Sequence, residues 1–176
     1  NSTIQAFDSK TGERKWQQSV RAPAKSTAVI ISGVAVISTW GKDLVAFDVR
    51  TGKQLWRAPL SMKSQVSPVY LRNGNQFVVA DLSGKIFSMS ANDGKQLWTL
   101  TTNQDDQRSS PIVLDDGKAQ KILFTCEKER LWLISSSGKI EKRWPIQGFV
   151  TSVPWLTNGM LFLSFNDGGL VAYDLK

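Results

Sequence analysis

The chain has 176 residues, 41% of them hydrophobic and 21% charged, and 22 Lys+Arg against 15 Asp+Glu give it a net charge of +7. That length can bury a sizeable core in one domain, and no run of about 18 apolar residues is present to read as a membrane-spanning helix. With no histidine and one cysteine, Cys126, it lacks Ser-His-Asp and Cys-His catalysis, the commonest metal ligand and any intrachain disulfide.

The first ten residues, "NSTIQAFDSK", have no initiator Met and no basic start followed by an apolar stretch. They read as the beginning of a mature or trimmed product. Strands are predicted at Ser2–Phe7 and Arg14–Val20, around the reversal in "AFDSKTGERKW" at 6–16. Forty residues on, "AFDVRTGKQLW" at 46–56 nearly repeats it. The next period resolves into four alternating or apolar runs, "VSPVYL", "QFVVA", "KIFSMS" and "QLWTLT". Between them lie "RNGN" at 72–75, "DLSG" at 81–84 and "ANDG" at 91–94, all reversal sequences. The following period holds a hairpin "DDG" at 115–117, then "KILFTCEKE", where Cys126 suits a small buried strand position. It goes on through an exposed turn "EKER" at 127–130 to "ISSSGKIEKRW". The last period carries "TNG" at 157–159 and a cut-off copy, "VAYDLK", from Val171. No segment shows a helical period over ten or more residues.

Two markers run in step along this order. The turn glycines Gly12, Gly52, Gly94 and Gly138 are spaced by 40, 42 and 44 residues. Thr27–Ala28, Ser67–Pro68, Ser110–Pro111 and Val153–Pro154 each open an apolar run. A four-stranded antiparallel unit recurring every 40–45 residues is the pattern of a β-propeller blade. The fold class is therefore all-β, with about four blades visible. Blade-like repeats fall at approximately 1–22 (half), 23–62, 63–104, 105–148 and 149–176 (incomplete). Pairing Arg14–Val20 with the last three strands would close a four-bladed ring but leave Ser2–Phe7 surplus, so a part of a larger propeller is the expected arrangement, its missing blades supplied by the rest of the chain or, as the alternative, by another chain.

The motif has a physical reading in every part. Asp8 and Asp48 sit at strand ends, where a carboxylate accepts backbone N–H groups of the following turn. Gly12 and Gly52 supply a positive φ. Trp16 and Trp56 start the next strand and can lie flat over a neighbouring turn, with Ala6 and Ala46 leaving room for close packing. These residues resemble the tryptophan-docking motif of the PQQ-like β-propeller repeats, and the resemblance covers essentially the whole chain. Ala46, Asp48, Gly52, Lys53 and Trp56 match in full; Ala6, Asp8, Gly12 and Trp16 match with Glu13 in place of Lys. Gly94, Lys95 and Trp98 match while Ser88 and Ser90 replace Ala and Asp. Gly138 to Trp144 is two residues too long, which puts docking there in question.

Family resemblance implies seven or eight blades. It further implies either a quinone-dependent dehydrogenase or a non-enzymatic propeller like the outer-membrane assembly lipoprotein of Gram-negative bacteria. The dehydrogenases imply a quinone with calcium, a catalytic Asp, a calcium-binding Glu and Asn, and an adjacent Cys pair. One cysteine leaves no pair, and no matching carboxylate set stands out. The expectation is thus no enzyme, no catalytic or metal residues and no cofactor. Instead, a periplasmic or other extracytoplasmic scaffold would bind protein partners, with no nucleic acid and only an indirect tie to the membrane. A ligand-sensing propeller of a receptor or kinase and a dehydrogenase fragment are the alternatives.

Function in propellers concentrates in rim loops that do not repeat. The candidate partner-binding residues on one rim are Arg21, Lys25, Trp40, Lys63, Asp105, Asp106, Arg108 and Phe149. Asp105 and Asp106 with Asn103 could also help hold calcium, although a solvated loop is the simpler reading. Trp40 in "STWGKD" either anchors a partner or packs inward, and Trp132 and Trp155 read as core. The charge is one-sided: residues 1–72 hold 11 Lys+Arg against 4 Asp+Glu, residues 73–176 hold 11 against 11.

Overall fold

A computed structural model describes residues 2–102, 109–126, 130–146, 148–150 and 152–174. Asn103, Asp105, Asp106, Arg108 and residues 127–129 lie outside the described residues, as does the side chain of Cys126.

Among the described residues seventeen strands form five antiparallel sheets in chain order. The strands β1 (Ser2–Phe7) and β2 (Arg14–Val20) pair with each other. Three four-stranded sheets follow. Blade 1 comprises β3 (Val29–Ile31), β4 (Val34–Thr39), β5 (Asp43–Asp48) and β6 (Gln54–Pro59). Blade 2 comprises β7 (Val69–Leu71), β8 (Gln76–Ala80), β9 (Lys85–Ser90) and β10 (Gln96–Thr101). Blade 3 comprises β11 (Ile112–Asp115), β12 (Gln120–Cys126), β13 (Arg130–Ser135) and β14 (Ile140–Pro145). A three-stranded sheet of β15 (Trp155–Thr157), β16 (Met160–Ser164) and β17 (Leu170–Asp174) completes the order. Each sheet is a meander, so its strands pair in sequence order. The ring closure that would join β2 to the last three strands does not occur, because β2 is taken by β1.

Register explains the repeat. Ala6 faces Trp16, Ala46 faces Trp56, Ser88 faces Trp98 and Leu131 faces Trp144. In the first three pairs the small residue stands six before and the tryptophan four after the turn glycine, whereas Leu131 and Trp144 lie seven before and six after Gly138, further from the turn. Ala6, Ala46 and Ser88 are small, so the indole across from each is free to lean off its own sheet.

Cores lie between successive sheets, as they must when no sheet can cover both its faces alone. The largest gathers Val36, Leu44, Ala46 and Trp56 of blade 1 with Phe77, Val79, Ile86 and Met89 of blade 2 and Ile122, Phe124 and Trp132 of blade 3. A second joins Leu123, Leu131 and Leu133 to Leu161 and Leu163. A third joins Val20 to Ile37, Val45 and Phe47. The short first strands β3, β7, β11 and β15 contact one another in turn, which puts them on the inner side of the curve. Trp132 is core, but Trp155 is not. It is 65% exposed on β15 and stacks only on Phe162, with ring centroids 5.6 Å apart. Its inner strand pairs along one side alone, with β16, and no further sheet covers its indole.

Candidate functional site

Two rims bound these blades. One carries the hairpins between first and second and between third and fourth strands; the other carries the interblade connections and the hairpins between second and third strands.

The hairpin rim is occupied by the repeat itself. Each docking tryptophan leaves its own glycine and reaches the turn of the next sheet. Trp16 covers Gly52 and Trp56 covers Gly94. Trp98 covers Gly138, and a Cβ added at these glycines would stand 2.6, 2.7 and 2.7 Å from the respective rings. Their Nε1–H groups donate to the carbonyls of Val49 (2.7 Å), Ala91 (3.0 Å) and Ser136 (2.9 Å) in those same turns. Gly138 therefore receives its tryptophan although its turn is one residue shorter: its N–H bonds Ser135, where Gly52 bonds Asp48. Asp48 accepts from the Thr51 hydroxyl and amide, both at 2.7 Å, which hold its carboxyl below the usual carboxylate range. Asp8 is lowered likewise, first by the amides of Lys10 and Thr11 and then by Lys15.

A cavity of about 290 Å³ opens on this rim between blades 1 and 2, lined by Ile31, Val34, Tyr70, Asn75, Phe77 and Asn92. In the next gap the space is filled. Gln76 stands where Val34 does, is 3% exposed, and donates to the carbonyls of Asn73 and Ser136 while accepting from Trp98.

The interblade rim is built differently. The second sequence marker proves to be a stitch along it: Thr27 N–H donates to the Ser67 hydroxyl (3.0 Å) and Ser67 N–H to the Ser110 hydroxyl (2.9 Å). Above this stitch stands the β4–β5 hairpin, Trp40–Gly41–Lys42. Asp43 secures its base, accepting from Thr39 Oγ1 and pairing with Arg57, while Gly41 N–H donates to Thr39 Oγ1 (2.9 Å). Trp40 N–H donates to Pro23 O (2.9 Å) in the preceding loop. Ser64 N–H in the following loop donates to Thr39 O (3.2 Å), and Leu60 N–H to Lys42 O (2.8 Å).

The half-buried Trp40 indole is thereby bracketed by two loops. Each loop sends it a cation: Lys25 Nζ lies 4.0 Å and Lys63 Nζ 4.6 Å from its ring centroid. Of the rim candidates, the structure brings Lys25, Trp40 and Lys63 together, with Arg21 exposed at the start of the same Lys25 loop. Phe149 belongs to a later blade gap, where its carbonyl accepts from Asn166 N–H (3.0 Å). Sequence reasoning missed Lys42, two residues from Trp40 in the same hairpin, and Met62, 40% exposed beside Lys63. Among the described residues no three carboxylate or cysteine side chains gather as metal ligands.

The family described as outer membrane protein assembly factor BamB matches residues 1–176. The chain belongs to this BamB family of PQQ-like propellers. A BamB of Salmonella typhimurium is 20% identical over 98% of the chain and 45% of its own length. The crystal structure of a BamB from Moraxella catarrhalis superposes with a TM-score of 0.81 at 21% identity, covering 99% of this chain and 56% of that one. A polyvinylalcohol dehydrogenase of Pseudomonas is 27% identical over 58% of the chain and 20% of its own. The chain thus spans about half the length of the BamB relatives it matches.

Proposed function

We propose that this chain is a non-catalytic propeller segment that binds protein partners through its interblade rim, as part of outer-membrane protein assembly outside the cytoplasm. The observation that carries the reading is the division of labour between the rims. Docking tryptophans and capped turns fill the hairpin rim, whereas the other rim presents an aromatic–cation cluster that no repeat requires. BamB family membership supports the assembly role and a periplasmic location. The reading keeps blade-like repeats at 1–22, 23–62, 63–104, 105–148 and 149–176 as part of a propeller of seven or eight blades. The test is photo-crosslinking of the full chain in the periplasm, with the reactive residue placed at Lys25 or Lys63 on one rim and at Lys53 or Asp93 on the other. Discrete protein crosslinks are expected from the first pair only; crosslinks equal from both rims, or none, overturn the reading.

The cavity between blades 1 and 2 is the observation that favours a ligand-sensing alternative. On that reading a small neutral polar ligand fills the space that Gln76 fills in the next gap, and a ligand-dependent rise in melting temperature is its signature. Dye-linked alcohol oxidation on adding quinone and calcium would instead restore the dehydrogenase reading.

A further inference from the structure

The geometry points to an acidic peptide segment as the ligand of the Trp40 cluster, its carboxylates seated between Lys25 and Lys63. This inference rests on the reading of the interblade rim as a partner surface and adds the partner's chemistry.

Charge accounting on the three loops carries it. Residues 21–28, 40–42 and 60–68 contain Arg21, Lys25, Lys42 and Lys63 and no carboxylate. The nearest acids in sequence are already taken. Asp43 is 6% exposed and bound to Arg57 and Thr39. Asp81 is fully buried and accepts from the amides of Met62 (2.8 Å) and Ser83 (3.0 Å). Among the described residues none of the four cations has an acidic partner. Two of them lie within 4.6 Å of one indole centroid. A cation over an exposed ring gains only about 0.5–1 kcal/mol, which holds both ammonium groups in place without an anion among the described residues. That is a preorganised site for carboxylates.

Trp40 itself argues for use. Its Nε1, like that of the core Trp132, is buried with no hydrogen-bond partner among the described residues, a deficit that a leucine of similar reach would not carry. What the indole offers that leucine does not is a π face to position cations. Met62 adds exposed apolar surface beside Lys63, so the matching segment alternates acidic and apolar residues. A lipid headgroup layer fits less well. A half-buried indole pinned under two lysines and tied by its backbone to Pro23 cannot protrude into a bilayer interface, as a membrane-anchoring tryptophan does.

The experiment is fluorescence anisotropy with a labelled ten-residue peptide alternating Glu and Leu, its Gln-for-Glu counterpart, and vesicles of phosphatidylcholine with 30% phosphatidylglycerol. The full chain is compared with Lys25→Gln/Lys63→Gln and with Trp40→Leu, and melting curves establish that each variant folds. The acidic peptide should bind the parent chain at low salt and weaken roughly tenfold in the lysine pair variant. The Gln peptide should bind no better to the parent than to that variant. Equal binding of both peptides, an acidic-peptide affinity untouched by Lys25→Gln/Lys63→Gln, or lysine-dependent binding to vesicles in place of peptide would each overturn the inference. Should the rim crosslinks persist when the peptide result is negative, the partner surface stands and only its acidic specificity falls. If Trp40→Leu does not fold, Lys25→Gln/Lys63→Gln alone decides, since both side chains reach solvent.

Discussion

Trp56 and Trp40 lie in one blade, toward opposite rims, and their surroundings differ in kind. Trp56 is 7% exposed, donates its N–H to Ala91 and presses on a glycine of the next sheet. Trp40 is half-buried, has no acceptor for its N–H, and carries two lysines. The first is satisfied by its own chain in every respect. The second is satisfied only in part, its N–H finding no acceptor among the described residues. The docking aromatics that repeat with the fold thus mark cohesion, whereas an aromatic outside the repeat can go either way: Trp132 is core and Trp40 is left partly open under two lysines.

That contrast can be broken by measurement. The largest effect should come from Trp56→Ala, which empties the seam between blades 1 and 2 and is expected to cost about 3–5 kcal/mol by denaturant unfolding. Trp40→Leu should stay within about 1 kcal/mol of the parent; a loss as large as that of Trp56→Ala would make both tryptophans structural and erase the distinction. Next comes Gly94→Ala. A Cβ there would stand 2.7 Å from the Trp56 ring, at a φ of +72°, and backbone strain plus overpacking should cost roughly 2–4 kcal/mol. Gly12 has the same sign of φ, +73°, but nothing within 4 Å of a Cβ, so Gly12→Ala should cost only about 1–2 kcal/mol. Equal losses would mean that the ring contact contributes nothing. The smallest effect concerns acid. Asp48 has a lowered folded-state pKa, so its contribution is present above the unfolded value of about 4 and fades as pH falls through the lower folded value. The melting temperature of Asp48→Asn should accordingly fall less steeply than the parent's between pH 5 and pH 2, and parallel curves would remove Asp48 from the turn's stability.

The blades were legible because their signal is periodic: glycine at a positive φ, tryptophan four residues on, and a serine or threonine opening the next apolar run. What the sequence alone did not disclose is which glycine each tryptophan covers. Gly52 and Trp56 are neighbours in the chain, yet register puts Trp56 opposite Ala46 and sends its ring to Gly94. Trp155 departs from the core reading of its sequence for a related reason. A strand position is buried only if a second sheet lies over it, and the sequence of a strand does not say which of its faces is covered. The Trp40 cluster lay furthest from view. Lys25 and Lys63 stand 15 and 23 residues from Trp40 on loops of different length, and only the curvature of the blades brings them to one ring.

The tryptophan–glycine contact also has a direction. The β1–β2 sheet and blades 1 and 2 each give an indole forward to the turn glycine of the sheet that follows, so these three seams repeat the same donor and acceptor halves. Such a joint is indifferent to how many units it links. A blade can be duplicated or lost as a cassette, the flanking halves rejoining without any change of residue, so that a propeller of this construction can vary its circumference by gene duplication while its seams stay the same.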